Sequence, residues 1–253
     1  MILRRLGNKK KIAHEIKQYF PAHKIYIEPF FGSGGMYFNK PKAKYNILND
    51  LDSDVFNLFQ VVMNQKEELE AAFKIMPIHK DLLEYWKKNF EVDPVKKALR
   101  FLFLSNLTYL GKHDTLRYGA RNDKNTLYNN IERTFEMLKD VQFNNCDFRA
   151  LFKGINYMDG EEINSFAYLD PPYVGTGNNY QHSFTEQDSI DLLDTVTEAG
   201  IKWAMSEFDN EFILDQIEDR KLNLHIIGER QNLKNRRTEI LITNYTIQQM
   251  ELF

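Results

Sequence analysis

The stretch with the clearest chemical potential is the tetrapeptide Asp170-Pro171-Pro172-Tyr173, which directly follows a short apolar run. The residue before a proline is kept out of the helical region and proline has a fixed φ, so Asp170 and Pro171 form one stiff unit. Because proline has no backbone N–H, we expect the Asp170 carboxylate and the Pro171 carbonyl to point outward without a neighbouring donor. Together they would accept two N–H groups of a ligand such as an exocyclic amine.

Tyr173 completes this unit with a flat face on which a ring could stack. Taken alone, however, the tetrapeptide is equally typical of a turn that closes a strand, because Asp and Pro are ordinary turn residues. The choice between a turn and a binding motif therefore depends on the other motifs in the sequence.

Three predicted strands deliver polar residues to one edge of a sheet. The apolar run 166–169 leads into the tetrapeptide, the run 24–28 leads into a glycine turn, and the run 45–48 ends at Asn-Asp. Open α/β sheets bind ligands at the carboxyl ends of their strands, where an acid on the second strand commonly holds a ribose. Asp50 fits that position, and it could equally cap a helix predicted at 51–63.

The glycine turn and the amino terminus add weaker indications. Residues 32–35 read Gly-Ser-Gly-Gly, which is neither the full dinucleotide fingerprint nor a P-loop, and a helix is predicted from about residue 36. Gly7-Asn8-Lys9 opens another predicted helix, whose apolar positions recur at helical spacing. A cation at a helix start is electrostatically unfavourable, so Lys9 indicates a ligand carboxylate nearby; an exposed lysine is the alternative.

The alternation of strands and helices defines the fold class. Further strands are predicted at 141–144, 201–205, 222–227 and 239–246, with helices at 186–199 and 209–217. Between 61 and 139 this alternation stops. There, helical patterns at 67–73, 81–89 and 94–107 precede a polar loop at 109–130. We therefore predict an α/β domain formed by 1–60 and 140–253, interrupted by an inserted module at 61–139.

Composition narrows the class of protein. The chain has 253 residues, of which 43% are hydrophobic and 27% charged, as in globular proteins. It shows no apolar run near the ~20 residues that span a bilayer and no signal peptide, which predicts a cytoplasmic protein. The single cysteine, Cys146, excludes an internal disulfide and is interpreted as a buried small residue, and the six histidines show no metal-site spacing. No metal site is predicted.

Charge is unevenly distributed along the chain. The net charge is −3, yet residues 96–124 hold seven basic and two acidic side chains. The polar loop combines basic and flat residues, as nucleic-acid surfaces do, although a solvated face is the commoner explanation of a charge run. The candidate nucleic-acid contacts are Lys112, Arg117, Arg121, Tyr180, Arg230, Lys234, Arg236 and Arg237.

With these motifs in order, the chain resembles the Dam-type (D12 class) DNA adenine-N6 methyltransferases over nearly its whole length. The segments that carry the resemblance are Gly7-Asn8-Lys9, residues 28–35, Asn49-Asp50, Asp147-Phe148, the proline tetrapeptide, residues 183–185 and residues 239–244. The chain departs from the family at Asn8, which replaces a glycine, at Arg5, where an aromatic is usual, and in a shorter insert. Cofactor contacts near Arg5 and the target sequence are therefore not predicted.

The resemblance implies a Rossmann-like sheet that binds S-adenosyl-L-methionine, releases S-adenosyl-L-homocysteine, and uses the insert as a target-recognition domain. Lys9 would meet the methionine carboxylate, Asp50 the ribose, and Asp147 with Phe148 the adenine of the cofactor. The full set of implied cofactor-binding residues is Gly7, Lys9, Glu28, Pro29, Phe30, Gly32, Gly34, Asp50, Asp147, Phe148 and Asp170. The implied catalytic set is Asp170, Pro171, Pro172 and Tyr173.

The predicted function is methylation of a flipped-out adenine at N6 in double-stranded DNA. Methylation of cytosine N4 or of adenine in RNA, and a catalytically silent DNA-binding relative, are the alternatives. The resemblance also implies a monomer from a bacterium or phage, with a cognate restriction endonuclease as a candidate partner and no membrane partner. Arg117 is the predicted guanine reader, because arginine is bidentate to that base in the major groove.

Overall fold

The fold is that of a computed structural model, which describes residues 1–5, 7–117, 123–175, 184–231 and 236–246. Within these residues seven strands form one sheet in the spatial order β3-β2-β1-β4-β5-β7-β6. The first five strands of that order run parallel, and β7 is antiparallel to both of its neighbours. The strands are β1 (Ile25–Glu28), β2 (Tyr45–Asn49), β3 (Gln142–Asn144), β4 (Ser165–Leu169), β5 (Lys202–Phe208), β6 (Asn223–Gln231) and β7 (Arg236–Thr243).

Helices cover both faces of this sheet. They are α1 (Ala13–Lys17), α2 (Ser53–Asn64), α3 (Lys66–Ile75), α4 (Lys80–Lys88), α5 (Pro94–Leu107), α6 (Asp123–Leu138), α7 (Phe148–Gly154), α8 (Glu186–Glu198) and α9 (Glu211–Asp219). In the described part of the chain, no helix is long and apolar enough to cross a membrane. The predicted α/β class with a Rossmann-like sheet is confirmed, and the sheet is mainly parallel.

The middle strand β4 shows why the sheet is covered on both sides. All five of its residues are buried, as expected for a parallel strand between two helical layers. Side chains alternate along a strand, so Phe166 and Tyr168 join one apolar core, and Ala167 and Leu169 join the other. The first core contains the helical segment α2–α6, whereas the second packs α7, α8 and α9.

The helical segment α2–α6 is continuous with the sheet's first core. Phe59 of α2 and Leu102 of α5 belong to the same buried cluster as Phe166 of β4. The helix α2 starts at Ser53 and packs on α3, α5, α6 and β3. The division of the chain at residues 60/61 and 139/140 stays a prediction.

Two sequence predictions about local structure are wrong. The predicted helix after the glycine turn is only a 3₁₀ turn, Tyr37–Asn39, because Pro41 forces Lys40 into extended backbone before β2. The predicted loop at 109–130 is shorter, since α6 begins at Asp123. In α6, buried Leu127 and Ile131 recur four residues apart, a helical spacing masked by polar neighbours.

The strand order predicts a crevice near the middle of the sheet, between β1 and β4. From β1 the chain moves outward through β2 to β3, and it then returns to β4 on the other side of β1. Ligands bind α/β sheets at such a reversal, outside the carboxyl ends of the strands. The ends of β1 and β4 are therefore where a site is expected.

Candidate active site

A cavity lies at the carboxyl ends of β1, β2 and β4, where the strand order reverses. Of the residues predicted to bind a cofactor, it is lined by Gly7, Lys9, Glu28, Pro29, Phe30, Gly32, Asp50, Asp147, Phe148 and Asp170. Pro172 also lines it, whereas Gly34, Pro171 and Tyr173 lie outside its lining. Across the described ranges, no cluster of three or more His, Cys, Asp or Glu side chains could hold a metal ion.

Lys9 and Asp170 are joined directly, although they are far apart in the sequence. The Lys9 Nζ donates to the Asp170 Oδ1 at 2.6 Å, and the Lys9 side chain is only 3% exposed. Lys9 belongs to a short 3₁₀ turn, Lys9–Lys11, that is capped by the Asn8 side chain and precedes α1. The expectation that Asp170 has no donor nearby is therefore wrong, because Lys9, near the amino terminus, supplies one.

Acids surround this ion pair. Glu28 at the end of β1 accepts the Tyr26 hydroxyl at 2.7 Å, and Glu207 of β5 accepts the backbone N–H of Val174 at 3.2 Å. Burial raises the pKa of Glu28 to about 8, against the lowering effect of the Tyr26 hydrogen bond. Burial also raises the pKa of Glu207 to about 8. Both pKa values are also raised by the nearby negative charge of Asp170.

The raised pKa of Glu28 predicts a pH dependence of folding stability. The folded protein retains a proton on Glu28 that the unfolded chain loses above its ordinary pKa of 4.5. This stabilising contribution is complete below pH 4.5 and is lost as the pH rises through about 8. A Glu28→Gln variant keeps a neutral side chain, so its stability should fall less steeply over this window, by up to about 1 kcal/mol per pH unit.

Urea unfolding at several pH values between 5 and 8 measures this difference. The exposed Glu218 of α9 provides the control, since Glu218→Gln should leave the wild-type slope unchanged. Parallel pH profiles for the wild type and Glu28→Gln would contradict the assigned protonation.

The glycine turn holds the Asp50 carboxylate through a backbone hydrogen bond. Gly32 has a φ of 54°, a region that favours glycine, and its N–H donates to the Asp50 Oδ2 at 2.5 Å. The Asp50 Oδ1 accepts from the N–H of Asp52 at 2.9 Å, and burial raises the Asp50 pKa to about 6. The cap of α2 is Asp52, so the alternative interpretation of Asp50 as that cap is wrong. Each Asp50 oxygen keeps a lone pair for a further donor.

Arg5, a departure from the family pattern, also faces the cavity. Its Nη2 lies 3.0 Å from the Asp52 Oδ2, so it forms an ion pair with the residue that caps α2. Its positive charge lowers the pKa of Asp50 against the larger effect of burial. Arg5 therefore contributes to the electrostatics of the site.

The rings of Phe30, Phe148 and Phe184 form an aromatic wall of the cavity. The ring centroids of Phe30 and Phe148 are 5.7 Å apart, and Phe184 meets Phe30 edge-on at 5.9 Å. Asp147 caps α7 through the N–H of Arg149, and the Arg149 guanidinium lies 4.3 Å from the centre of the Phe148 ring. The lining of the cavity thus combines cations, carboxylates and an aromatic wall.

The rigid tetrapeptide is anchored on its far side. Tyr173 is 9% exposed, and its hydroxyl donates to the Glu239 Oε1 at 2.5 Å. Its ring packs edge-on against Phe208, with centroids 4.7 Å apart. Pro171 is buried and Pro172 half-buried. The Tyr173 ring is therefore packed inside the protein. Stacking of this ring on a base stays a prediction.

Three of the candidate DNA contacts have described side chains. Lys112 and Arg117 are exposed and follow α5 in a segment held by the bridge between Thr108 and Leu116. The Arg237 guanidinium lies 5.3 Å from the centre of the Phe208 ring, which itself contacts Tyr173. Arg121, Tyr180 and Lys234 lie outside the described residues, as do the side chains of Arg230 and Arg236.

Several site residues escaped the sequence prediction. Asn8, Phe31, Ser33, Asn49, Cys146 and Asp188 line the cavity but do not belong to the predicted cofactor-binding set, and Phe184 joins its wall. Cys146 is half-buried, and burial raises its thiol pKa, which disfavours a thiolate nucleophile. Glu207 and Glu239 could have been noticed as acids within apolar strand sequences, because a buried charge is rarely kept without a partner.

Comparison with known proteins gives a consistent set of relatives. The family model described as "D12 class N6 adenine-specific DNA methyltransferase" matches residues 6–233. The DNA adenine methylase of Escherichia coli is 26% identical over 248 residues, covering 90% of this chain and 87% of that protein. The type II methyltransferase M.MjaIII of Methanocaldococcus jannaschii is 28% identical over 219 residues, covering 74% and 73%.

Proposed function

The chain belongs to the D12 class N6 adenine-specific DNA methyltransferase family and methylates adenine in DNA, and from this we propose that its cavity binds S-adenosyl-L-methionine beside Asp170. The observation that carries the proposal is the position of Asp170. It lies at the end of β4, beside Lys9, in the lining of a cavity that also has an aromatic wall. A substrate amine at Asp170 would therefore lie next to a bound donor.

The residues of the cavity fit this cofactor. Lys9 offers an ammonium for a carboxylate, Asp50 offers acceptor lone pairs for ribose hydroxyls, and Phe148 offers a ring for an adenine. Gly32 presents open space where a side chain would otherwise stand, so the backbone can approach a ligand closely. When bound, the cofactor supplies an electrophilic methyl group on a sulfonium.

Asp170 and Pro171 prepare the substrate nitrogen in this proposal. The amine of adenine is weakly nucleophilic, because its lone pair is delocalised into the ring. Two hydrogen bonds, to the Asp170 carboxylate and the Pro171 carbonyl, would draw the nitrogen toward a tetrahedral geometry and free that lone pair. Positioning and electrostatics of this kind supply most of the rate in such reactions.

The target adenine must leave the duplex to reach these groups. We propose that residues 61–139 act as the target-recognition module, since Lys112 and Arg117 are exposed there, and that double-stranded DNA is the substrate. Arg237 is proposed as a contact near the flipped base, because it lies over the ring that packs on Tyr173.

Substitution of Arg117 tests the assignment of the recognition module. Arg117→Ala should relax the choice of target sequence, with about 1–3 kcal/mol of discrimination lost at one base, if the arginine reads a guanine edge. Sequencing of methylated DNA from cells that express each variant measures this choice. Lys112→Ala is the control, expected to weaken methylation about equally at all sites because phosphate contacts carry no base information. Equal effects of both substitutions on every sequence would contradict the assignment.

Mass analysis of nucleosides after reaction with S-adenosyl-L-methionine tests the function itself. Double-stranded DNA should yield N6-methyl-2′-deoxyadenosine. N4-methylcytosine in DNA, methylated adenine only in RNA, or no methylated product from protein that is folded and binds the donor would each overturn the proposal.

A further inference from the structure

Glu239 contacts two residues of the site, Tyr173 and Lys9, although it does not line the cavity. It lies on β7 and is 1% exposed, and its Oε1 accepts the Tyr173 hydroxyl at 2.5 Å. The same oxygen lies 3.4 Å from the Lys9 Nζ, which also binds Asp170. One buried carboxylate therefore connects the aromatic residue of the proline motif with the cation that neutralises its acid.

The contact with Glu239 determines the orientation of the Tyr173 ring. Burial raises the pKa of the tyrosine hydroxyl well above its ordinary value, as do the charges of Asp170 and Glu239, so the hydroxyl keeps its proton and donates. The ring edge is set against Phe208 with an interplanar angle of 89°. A hydrogen bond at its tip and a packed ring at its side leave Tyr173 little freedom to rotate.

A second acid holds the motif from the other side of the sheet. In the register of β5 and β7, Glu239 stands opposite Phe208 and Glu207 stands opposite Ile240. Successive residues of a strand point to opposite faces, so the two glutamates project from opposite faces of the sheet. Glu207 accepts from the N–H of Val174, the residue after Tyr173. Tyr173 and Val174 are thus each held by a hydrogen bond to a glutamate, and the two glutamates lie on opposite faces of the sheet.

We propose that Glu239 is a positioning residue for methyl transfer, which fixes Tyr173 through its hydroxyl and shares the Lys9 ammonium with Asp170. The inference rests on the proposed function of Asp170. By drawing part of the Lys9 charge away from Asp170, Glu239 leaves the aspartate able to accept the substrate amine. A buried acid in an apolar strand is costly for folding, and apolar replacements of buried ion pairs are often neutral or stabilising, so stability alone does not explain it.

Single-turnover transfer of labelled methyl to bulk double-stranded DNA, at saturating S-adenosyl-L-methionine, tests the inference. Glu239→Gln keeps the volume and one acceptor but removes the charge, and its rate should fall about 10- to 100-fold, the range for losing a hydrogen bond to a charged group. Tyr173→Phe keeps the ring and removes the hydroxyl, and a loss of similar size is expected. The double variant should lose little beyond the larger single loss, because both substitutions remove one interaction.

Calorimetric binding of S-adenosyl-L-methionine separates positioning from general damage. The dissociation constant of Glu239→Gln should change much less than its rate, and thermal unfolding should show a folded protein. Glu218→Gln, an exposed glutamate on α9, is the matched control and should keep the wild-type rate. If Glu239→Gln does not fold, the rate of Tyr173→Phe alone tests the inference, since the phenylalanine ring still fills the same space.

Three results overturn the inference. They are wild-type rates for Glu239→Gln and Tyr173→Phe, multiplicative losses in the double variant, or a loss of donor binding as large as the loss of rate. The proposed function fails separately, when the wild-type protein binds donor and DNA but transfers no methyl group to adenine.

Discussion

Asp170→Ala should lower methyl transfer by about 10³-fold or more while S-adenosyl-L-methionine still binds measurably. The carboxylate is the acceptor proposed to pull the substrate amine toward a reactive geometry, and loss of one such preorganised partner costs about 10²- to 10³-fold by itself. Its removal also takes away the nearer partner of the Lys9 ammonium, at 2.6 Å, so the cation would shift toward Glu239. Both changes act on the step in which the methyl group is transferred.

Single-turnover kinetics measure the rate, and calorimetry with S-adenosyl-L-methionine measures binding. Asp215→Ala, which removes an exposed acid from α9, is the matched control and should behave as the wild type. Turnover of Asp170→Ala at the wild-type rate would contradict the assigned role of this residue.

Lys9→Met should damage both folding and donor binding. The Lys9 side chain is 3% exposed, and its ammonium lies within 3.4 Å of two carboxylates, Asp170 and Glu239. It also lies 4.6 Å from the centre of the Tyr173 ring. Removal of one partner of a buried ion pair costs about 3–5 kcal/mol, because a buried charge loses its compensation. The proposed contact with the donor's carboxylate would be lost as well, so the dissociation constant should rise at least ~10-fold.

The neighbouring Lys10 is the matched control for this experiment. It is exposed and lies in the same 3₁₀ turn, so Lys10→Met changes the net charge equally without touching the buried carboxylates. Urea unfolding and calorimetric titration should show wild-type behaviour for Lys10→Met. Equal losses for the two variants would mean that general charge, rather than the buried ion pair, determines stability and binding.

Much of the fold could be predicted from local pattern. The predicted strands at the site match the observed ones within a few residues, because their apolar runs end at prolines, glycines or acids that cannot continue a buried strand. The order of motifs along the chain placed Asp50 and Asp170 at one sheet edge, and both line the same cavity. Parallel strands bring their carboxyl ends together whatever the details of packing.

What could not be predicted depends on contacts between distant segments. Nothing near Asp170 in the sequence indicates that Lys9 is its hydrogen-bond donor, because the two residues are 161 positions apart. The position of Glu239 under Tyr173 depends on the antiparallel pairing of β7 with β5, and that register is determined by the assembled sheet. The helix α6 is hard to predict for a different reason, since its first turns are polar and only the spacing of Leu127 and Ile131 indicates a buried face.

A crystal structure of the protein with S-adenosyl-L-homocysteine and double-stranded DNA tests the central claim most directly. The account predicts the cofactor's sulfur beside residue 170, and the amine of an extrahelical adenine within hydrogen-bond distance of the Asp170 carboxylate and the Pro171 carbonyl. A cofactor bound away from the ends of β1 and β4, or an adenine amine held by other groups, would contradict it.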